Sequence, residues 1–282
     1  MSNSPAGHVV RSTVSPNCET GSRTPLRTFL PTADGISIDS VYDRGSVVYN
    51  TSTPSTRHIV FVMAHGFTGD VDRPHVRRVA AAFARYGDVV TFSFRGHGRS
   101  GGRSTVGDRE VLDLAAAVGW ARELQPHARV VTVGFSMGGS VVLRHAALHQ
   151  DHQRTDAVVS VSAPARWYYR GTPPMRRVHW LITRPEGRLV GRYGFRTRIH
   201  GRGWDPVPLS PAEAVPRIAP TPLLIVHGDR DGYFPVDHPR MLAEAAGDHG
   251  ELWLEPGMGH AEHAADDALL ARIGDWAASR AG

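Results

Sequence analysis

From residue 58 onward, short apolar runs alternate with segments of helical spacing, and few folds accommodate that alternation. "HIVFVMAHG" (58–66), "DVVTFSFRGHG" (88–98), "RVVTVGFS" (129–136), "DAVVSVSAP" (156–164), "TPLLIVHGD" (221–229) and "GELWLEP" (250–256) read as strands. The first is apolar throughout, as a strand buried on both faces must be. Between the runs, 74–87, 107–124, 137–149, 237–246 and 263–280 carry helical spacing, with Gly87 as a stop signal after the first. Such a chain folds into an α/β structure, a mostly parallel sheet with helices on both faces. Upstream, residues 27–45 alternate around Asp34-Gly35, a turn pair, and predict a β-hairpin.

The rhythm breaks from about 165 to 215, a stretch that reads as irregular. It holds Trp167, Tyr168, Tyr169, Trp180, Tyr193 and Trp204, and ten Arg fall between 166 and 202. A long segment inserted between two strands is a cap or lid candidate. The predicted organisation is therefore a tail at 1–25, a core at 26–164 and 216–282, and a cap at 165–215. The tail is rich in Ser, Thr, Pro and Gly, lacks the apolar stretch of a secretory signal, and is expected to be disordered.

Composition excludes several classes. The chain has 282 residues, 41% of them hydrophobic, enough for a sizeable core. No window approaches the length of apolar sequence that a membrane helix needs. Cys18 is the only cysteine, so there is no intramolecular disulfide and no cysteine cluster for a metal; a reducing cytoplasm fits. The net charge is +5 and every basic residue is Arg. No helix-turn-helix or Arg–aromatic groove pattern accompanies that charge, so it is read as compositional bias and no nucleic-acid partner is expected. Nothing in the sequence specifies an oligomeric state.

The chemistry centres on "GFSMG" (134–138). A strand runs into it and a helix leaves it with no loop between, so Ser136 sits at a sharp turn, and Gly134 and Gly138 remove side chains that would collide there. A serine hydroxyl is a poor nucleophile until a base takes its proton and a carboxylate orients that base. For this elbow the chain order is Ser, acid, His. "LLIVHGDRDGYFP" offers Asp229 and Asp231, and "LWLEPGMGHAEH" offers His260. His263 reads as a solvent-facing residue of a first helical turn. His65 and His97 precede the elbow and read as structural. Ser140, one turn past Ser136, reads as a packing residue.

"HGFTG", "FRGHGRSGG", "GFSMGG", "HGDRDGYFP" and "GMGH" occur together in this order from about residue 27 to the C-terminus. In this the chain resembles the serine α/β-hydrolases, and within them small carboxylesterases, monoacylglycerol-lipase-like enzymes and the serine-aminopeptidase-like group. The resemblance implies an α/β-hydrolase fold with an inserted cap, and Asp231 rather than Asp229 as the acid. Asp229 then reads as a turn-capping carboxylate. It also implies an oxyanion hole from the backbone N–H groups of Met137 and Phe67, with His65 fixing the loop that carries Phe67.

The expected activity is hydrolysis of a small-molecule carboxylic ester through an acyl-enzyme, without metal or organic cofactor. Thioesterase, peptidase, acyltransferase and perhydrolase chemistry on the same triad are the alternatives, and a non-catalytic binding protein on this scaffold is a further one. Trp167, Tyr168 and Trp180 are candidate substrate-binding residues, although the cap aromatics also suit a small core of its own. The Arg of the cap suit a solvated face or, alternatively, attraction of an anionic substrate or peripheral contact with anionic lipid.

Overall fold

The computed structural model describes residues 24–46, 58–149 and 153–280. Cys18 and all but the last two residues of the expected tail lie outside the described residues. Strands β1 (Leu26–Pro31) and β2 (Ser37–Asp43) form the hairpin expected around Asp34-Gly35, in a register that pairs Leu26 with Tyr42 and Pro31 with Ser37. The alternation follows: β3 (Ile59–Ala64), α1 (Pro74–Phe83), β4 (Asp88–Phe92), α2 (Glu110–Leu124), β5 (Arg129–Phe135), α3 (Met137–Leu148) and β6 (Ala157–Val161).

The chain then leaves the sheet for α4 (Pro173–Thr183), α5 (Pro185–Gly194) and the short α6 (Pro211–Ala214). It returns as β7 (Leu223–Gly228), α7 (Asp237–Ala246), β8 (Gly250–Glu255), the single turn α8 (Ala261–Ala264) and α9 (Asp267–Arg280).

The eight strands form one sheet in the order β1-β2-β4-β3-β5-β6-β7-β8, and β2 alone runs against the others. Every residue of β3, β4, β6 and β7 is buried, the reason those runs are apolar without alternation. Val62, Leu114, Val141 and Leu242 belong to the core on the face covered by α2, α3 and α7. Phe61, Val79, Phe83 and Ile273 belong to the core on the other face, under α1 and α9. Each such side chain contributes about 1.5–3 kcal/mol by leaving water.

Chain order reverses at β3, which has β4 on one side and β5 on the other. At such a reversal the loops leaving two adjacent strands diverge and open a crevice at their carboxyl ends. The loops after β3 and β5 are those carrying Phe67 and Ser136.

The segment between β6 and β7 corrects one expectation: it is not irregular but holds two helices of ten or more residues, α4 and α5, besides the single turn α6. Both open on proline, at Pro173 and Pro185, where a missing N–H costs nothing. Proline and glycine, which read as breakers, hid them in the sequence, and both are poorly buried. Leu181 is the only buried residue of α4, and α5 buries only Gly187 and Gly191. The helices meet backbone to backbone: a Cβ on Gly187 would lie 2.4 Å from the Trp180 carbonyl oxygen.

The cap closes on itself and on the core. Ala212 N–H donates to Ala165 O at its neck (3.0 Å). Residues 197–200 lie against the β4–α2 loop, where Arg198 N–H donates to Gly96 O (2.7 Å) and Ser104 N–H to Arg198 O (2.7 Å).

Candidate active site

Ser136 stands at the turn between β5 and α3 with φ of 51° and ψ of −113°, a left-handed backbone uncommon for a residue with a side chain. Close packing enforces it. A Cβ on Gly134 would come within 2.2 Å of Gly138 O, and one on Gly138 within 2.2 Å of Ala64 O. The Ser136 N–H is tied to Val161 O on the neighbouring strand at 2.8 Å. The hydroxyl is thus presented at the N-terminus of α3, where the helix dipole favours negative charge.

The structure brings three distant side chains together. His260 Nε2 lies 2.9 Å from Ser136 Oγ, and His260 Nδ1 lies 2.8 Å from Asp231 Oδ2. One tautomer satisfies both contacts: Nδ1–H donates to the carboxylate and Nε2 accepts the serine proton. The Asp231 side chain is fully buried, and its other oxygen accepts the N–H groups of Tyr233 (2.8 Å) and Phe234 (3.1 Å). Burial alone would raise its pKa. The bonds from His260, Phe234 and Tyr233 outweigh that and hold the carboxyl below its usual value.

Asp229 accepts the N–H of Gly257 (2.6 Å), pinning the loop that leads to His260. His263 is exposed, with its ring 3.9 Å from that of His75. Ser140 is buried, and its hydroxyl donates to Met137 O (2.7 Å).

The loop after β3 is shaped by His65. Phe94 N–H donates to His65 Nε2 (3.1 Å), so Nδ1 carries the proton and donates to Gly66 O (2.7 Å). Gly69 N–H reaches the same oxygen (3.0 Å). Two donors on the Gly66 carbonyl fix the peptide plane whose opposite edge is the Phe67 N–H. Burial, reinforced by neighbouring His97, lowers the His65 pKa to about 3, so the ring stays neutral and keeps its accepting nitrogen. His97 is also buried and neutral, its pKa lowered to about 4 by desolvation, and its ring meets the Phe67 ring edge-on at 5.8 Å. The amides of Phe67 and Met137 donate to no acceptor among the described residues.

A cavity of about 690 Å³ lies between this edge and the cap. Ser136, His260, Phe67 and Met137 line its floor; Trp167, Tyr168, Trp180 and Trp204 line the cap side. Tyr193 does not line it and is 75% exposed. Among the described residues no group of three or more His, Cys, Asp or Glu is placed to hold a metal ion.

A model of the α/β-hydrolase fold family matches residues 59–180. The chain is 29% identical over 249 residues to a monoacylglycerol lipase of Mycolicibacterium smegmatis, covering 76% of this chain and 85% of that protein. The solved esterase Pf2001 of Pyrococcus furiosus superposes with a TM-score of 0.70 at 22% identity, over 92% of both chains. Est1E of Butyrivibrio proteoclasticus, solved with ferulic acid bound, gives 0.57 at 19% identity, over 90% of this chain and 98% of that one.

The chain has the α/β-hydrolase fold.

On this α/β-hydrolase core, reasoning from sequence missed three residues around Ser136, Asp231 and His260. Tyr233 stacks on His260, with ring centroids 4.2 Å apart and planes 24° apart. It lies two residues after Asp231, close enough for one loop to supply both the carboxylate and a flat wall for the imidazole. Glu262 was also missed. It is buried two residues beyond His260, and a buried carboxylate has no periodic signature in a sequence. His227 was passed over as well. It lies 3.6 Å from Asp231, but burial lowers its pKa and its contact with Phe234 O (2.8 Å) gives it a structural task in the acid loop.

Proposed function

We propose that this chain is a serine hydrolase that cleaves carboxylic esters through an acyl-enzyme on Ser136. The observation that carries the reading is the unbroken relay Ser136–His260–Asp231, with both contacts inside hydrogen-bond distance. Ser136 Oγ attacks the ester carbonyl while its proton passes to His260 Nε2. The carbonyl oxygen gains negative charge and is received by the N–H groups of Phe67 and Met137. As the C–O bond breaks, His260 returns the proton to the leaving alkoxide, and an alcohol departs. Water then attacks the acyl-enzyme by the same route, releasing a carboxylic acid and restoring Ser136. Asp231, ionised by its surroundings, holds the imidazole in the required tautomer and steadies the imidazolium.

Trp167, Tyr168 and Trp180 supply an apolar wall for the acyl part, which directs the choice towards esters with a sizeable hydrocarbon chain. The ester-cleaving relatives support the bond type. A fluorophosphonate probe tests the nucleophile: labelling of the wild type that vanishes in Ser136→Ala is expected. Turnover of glycerol and aryl esters over a range of acyl lengths tests the substrate class. Faster turnover of a matched thioester or aminoacyl amide would move the assignment to a thioesterase or peptidase.

The outer face of the cap supports a peripheral contact with anionic lipid. Leu189 and Tyr193, neither of which lines the cavity, are exposed on the cap, whose two helices and their junction also carry Arg176, Arg184, Arg188 and Arg192. Apolar side chains interleaved with cations are the composition of an interfacial surface. Among the described residues no helix is long and apolar enough to cross a membrane. Co-sedimentation with vesicles containing phosphatidylglycerol, lost in neutral vesicles and in a variant with three of these Arg replaced by Gln, is the expected result.

A further inference from the structure

We propose that Glu262 is a positioning residue for the oxyanion loop, an inference that rests on the serine-hydrolase reading above. Its carboxylate is buried, at 4% exposure, and Oε1 accepts the N–H of Gly66 at 3.0 Å. Gly66 separates two peptide units. The unit on its C-terminal side, which carries the Phe67 N–H, is held by His65 and Gly69 through the Gly66 carbonyl. The unit on its N-terminal side is held by Glu262. With both units pinned, the direction of the Phe67 N–H has little freedom left.

The fit is close. A Cβ on Gly66 would lie 3.1 Å from Oε1 and 3.2 Å from Oε2. The carboxylate therefore lies close against the Gly66 Cα, and a side chain there would press it aside by a few tenths of an ångström.

The route by which Glu262 arrives joins it to the base. Ala261, between His260 and Glu262, takes a left-handed conformation with φ of 54°, and its N–H donates to Ser162 Oγ (3.0 Å). For a residue with a side chain this conformation stores strain. The reversal sends His260 towards Ser136 and Glu262 towards Gly66. One short stretch thereby sets both the proton acceptor and one oxyanion donor, and ties their spacing to the conformation of three consecutive residues.

Mere filling of space does not account for this side chain. A buried carboxylate is costly unless its oxygens are engaged. The groups facing it are few. Gly66 N–H is the one hydrogen bond to its carboxylate among the described residues. His75 Nε2 stands 3.9 Å from Oε1, outside hydrogen-bond range, and Arg78, which also bonds Asp267 and Ala265, meets Glu262 at its backbone oxygen (2.9 Å) and not at its carboxylate. An apolar residue of the same volume would pack at lower cost, so what the carboxylate contributes is the acceptor aimed at Gly66.

The test compares Glu262→Gln, which keeps an acceptor oxygen, with Glu262→Met, which fills a similar volume without one. Relative to wild type, the Met variant should lose about ten- to a hundredfold in kcat with KM within about twofold, because a misdirected oxyanion donor weakens the transition state and not the bound ester. The Gln variant should stay within about fivefold of wild type. A trifluoromethyl ketone, which forms the tetrahedral adduct, should weaken on the Met variant by the same factor as kcat, while the product carboxylic acid binds as before.

If Glu262→Met does not fold, Glu262→Asp takes its place: the charge remains but the oxygen is drawn back by about 1.5 Å, and its kcat should fall while that of the Gln variant does not. Equal activities in the acceptor-keeping and acceptor-lacking variants, or a loss confined to KM, overturns the role. Failure of wild-type protein to label with fluorophosphonate would instead overturn the serine-hydrolase reading, so the two failures are distinguishable.

Discussion

At the carboxyl end of the sheet, Asp231 has no exposed side chain and accepts bonds from His260, Tyr233 and Phe234, whereas α4, directly above, buries Leu181 alone. The floor of the cavity is specified by polar contacts that each have a definite partner. The roof is specified by aromatic rings against rings, such as Trp167 on Trp204 at 5.1 Å, and by the glycine crossing between α4 and α5. Hydrogen bonds to an ionised group fail abruptly when one partner moves, while ring contacts slide. On the proposed function, chemistry belongs to the rigid floor and substrate preference to the adaptable roof.

The largest test of that division is Asp231→Asn. An amide there favours the wrong imidazole tautomer, and kcat should fall by about 10³- to 10⁴-fold with KM little changed, measured by steady-state kinetics on a short ester. Loss in KM alone would mean that the floor is not where the chemistry resides.

Next comes a matched pair of close approaches. In Gly138→Ala the new Cβ meets Ala64 O at 2.2 Å, and in Gly187→Ala it meets Trp180 O at 2.4 Å. The first lies in the core, and its melting temperature should fall by 10 °C or more, roughly the effect of several kcal/mol on a domain of this size. The second should loosen the α4–α5 crossing alone, leaving core melting and short-ester turnover near wild type while selectivity among long acyl chains declines. Equal effects of the two would erase the distinction between floor and roof.

Trp180→Ala should be milder still. It should raise KM for long-chain esters by about tenfold through lost apolar contact, with kcat on short esters unchanged.

The last test concerns acid stability. His65 and His97 stay neutral when folded, with pKa values of about 3 and 4, below the ordinary imidazole value of 6.5. The unfolded chain takes up these protons first. The stability they contribute is complete above about pH 6.5 and declines as pH falls from there towards their folded values. The melting temperature of wild type should drop steadily between pH 6.5 and 4. His97→Gln should melt lower at neutral pH but show a shallower decline, flatter by up to about 3 kcal/mol over that interval.

The same division governs what could be read from the sequence. Strands β3 to β7 were legible because burial on both faces demands continuous apolar residues. The elbow was legible because Gly134 and Gly138 mark the only way a backbone can make that corner. The meeting of Ser136, Asp231 and His260 was foreshadowed by chain order together with the motifs of the resemblance. The cap helices were not legible. Both are amphipathic, but each is short and opens on proline, and α5 is interrupted by Gly187, Gly191 and Gly194, residues that read as breakers. Glu262 escaped for another reason: its partner is a backbone amide 196 positions away, so nothing in the local sequence marks it.

The attachments of the cap have a consequence of their own. On one bank of the crevice Thr172 Oγ1 donates to Tyr233 O (2.9 Å), beside the acid loop; on the other, Arg198 is paired with Gly96 and Ser104, and Trp204 Nε1 donates to Thr105 O (2.7 Å). A span footed on both banks behaves as an arch and not as a hinged door. A substrate of the proposed hydrolase would therefore enter beneath a standing span instead of through a lifting lid.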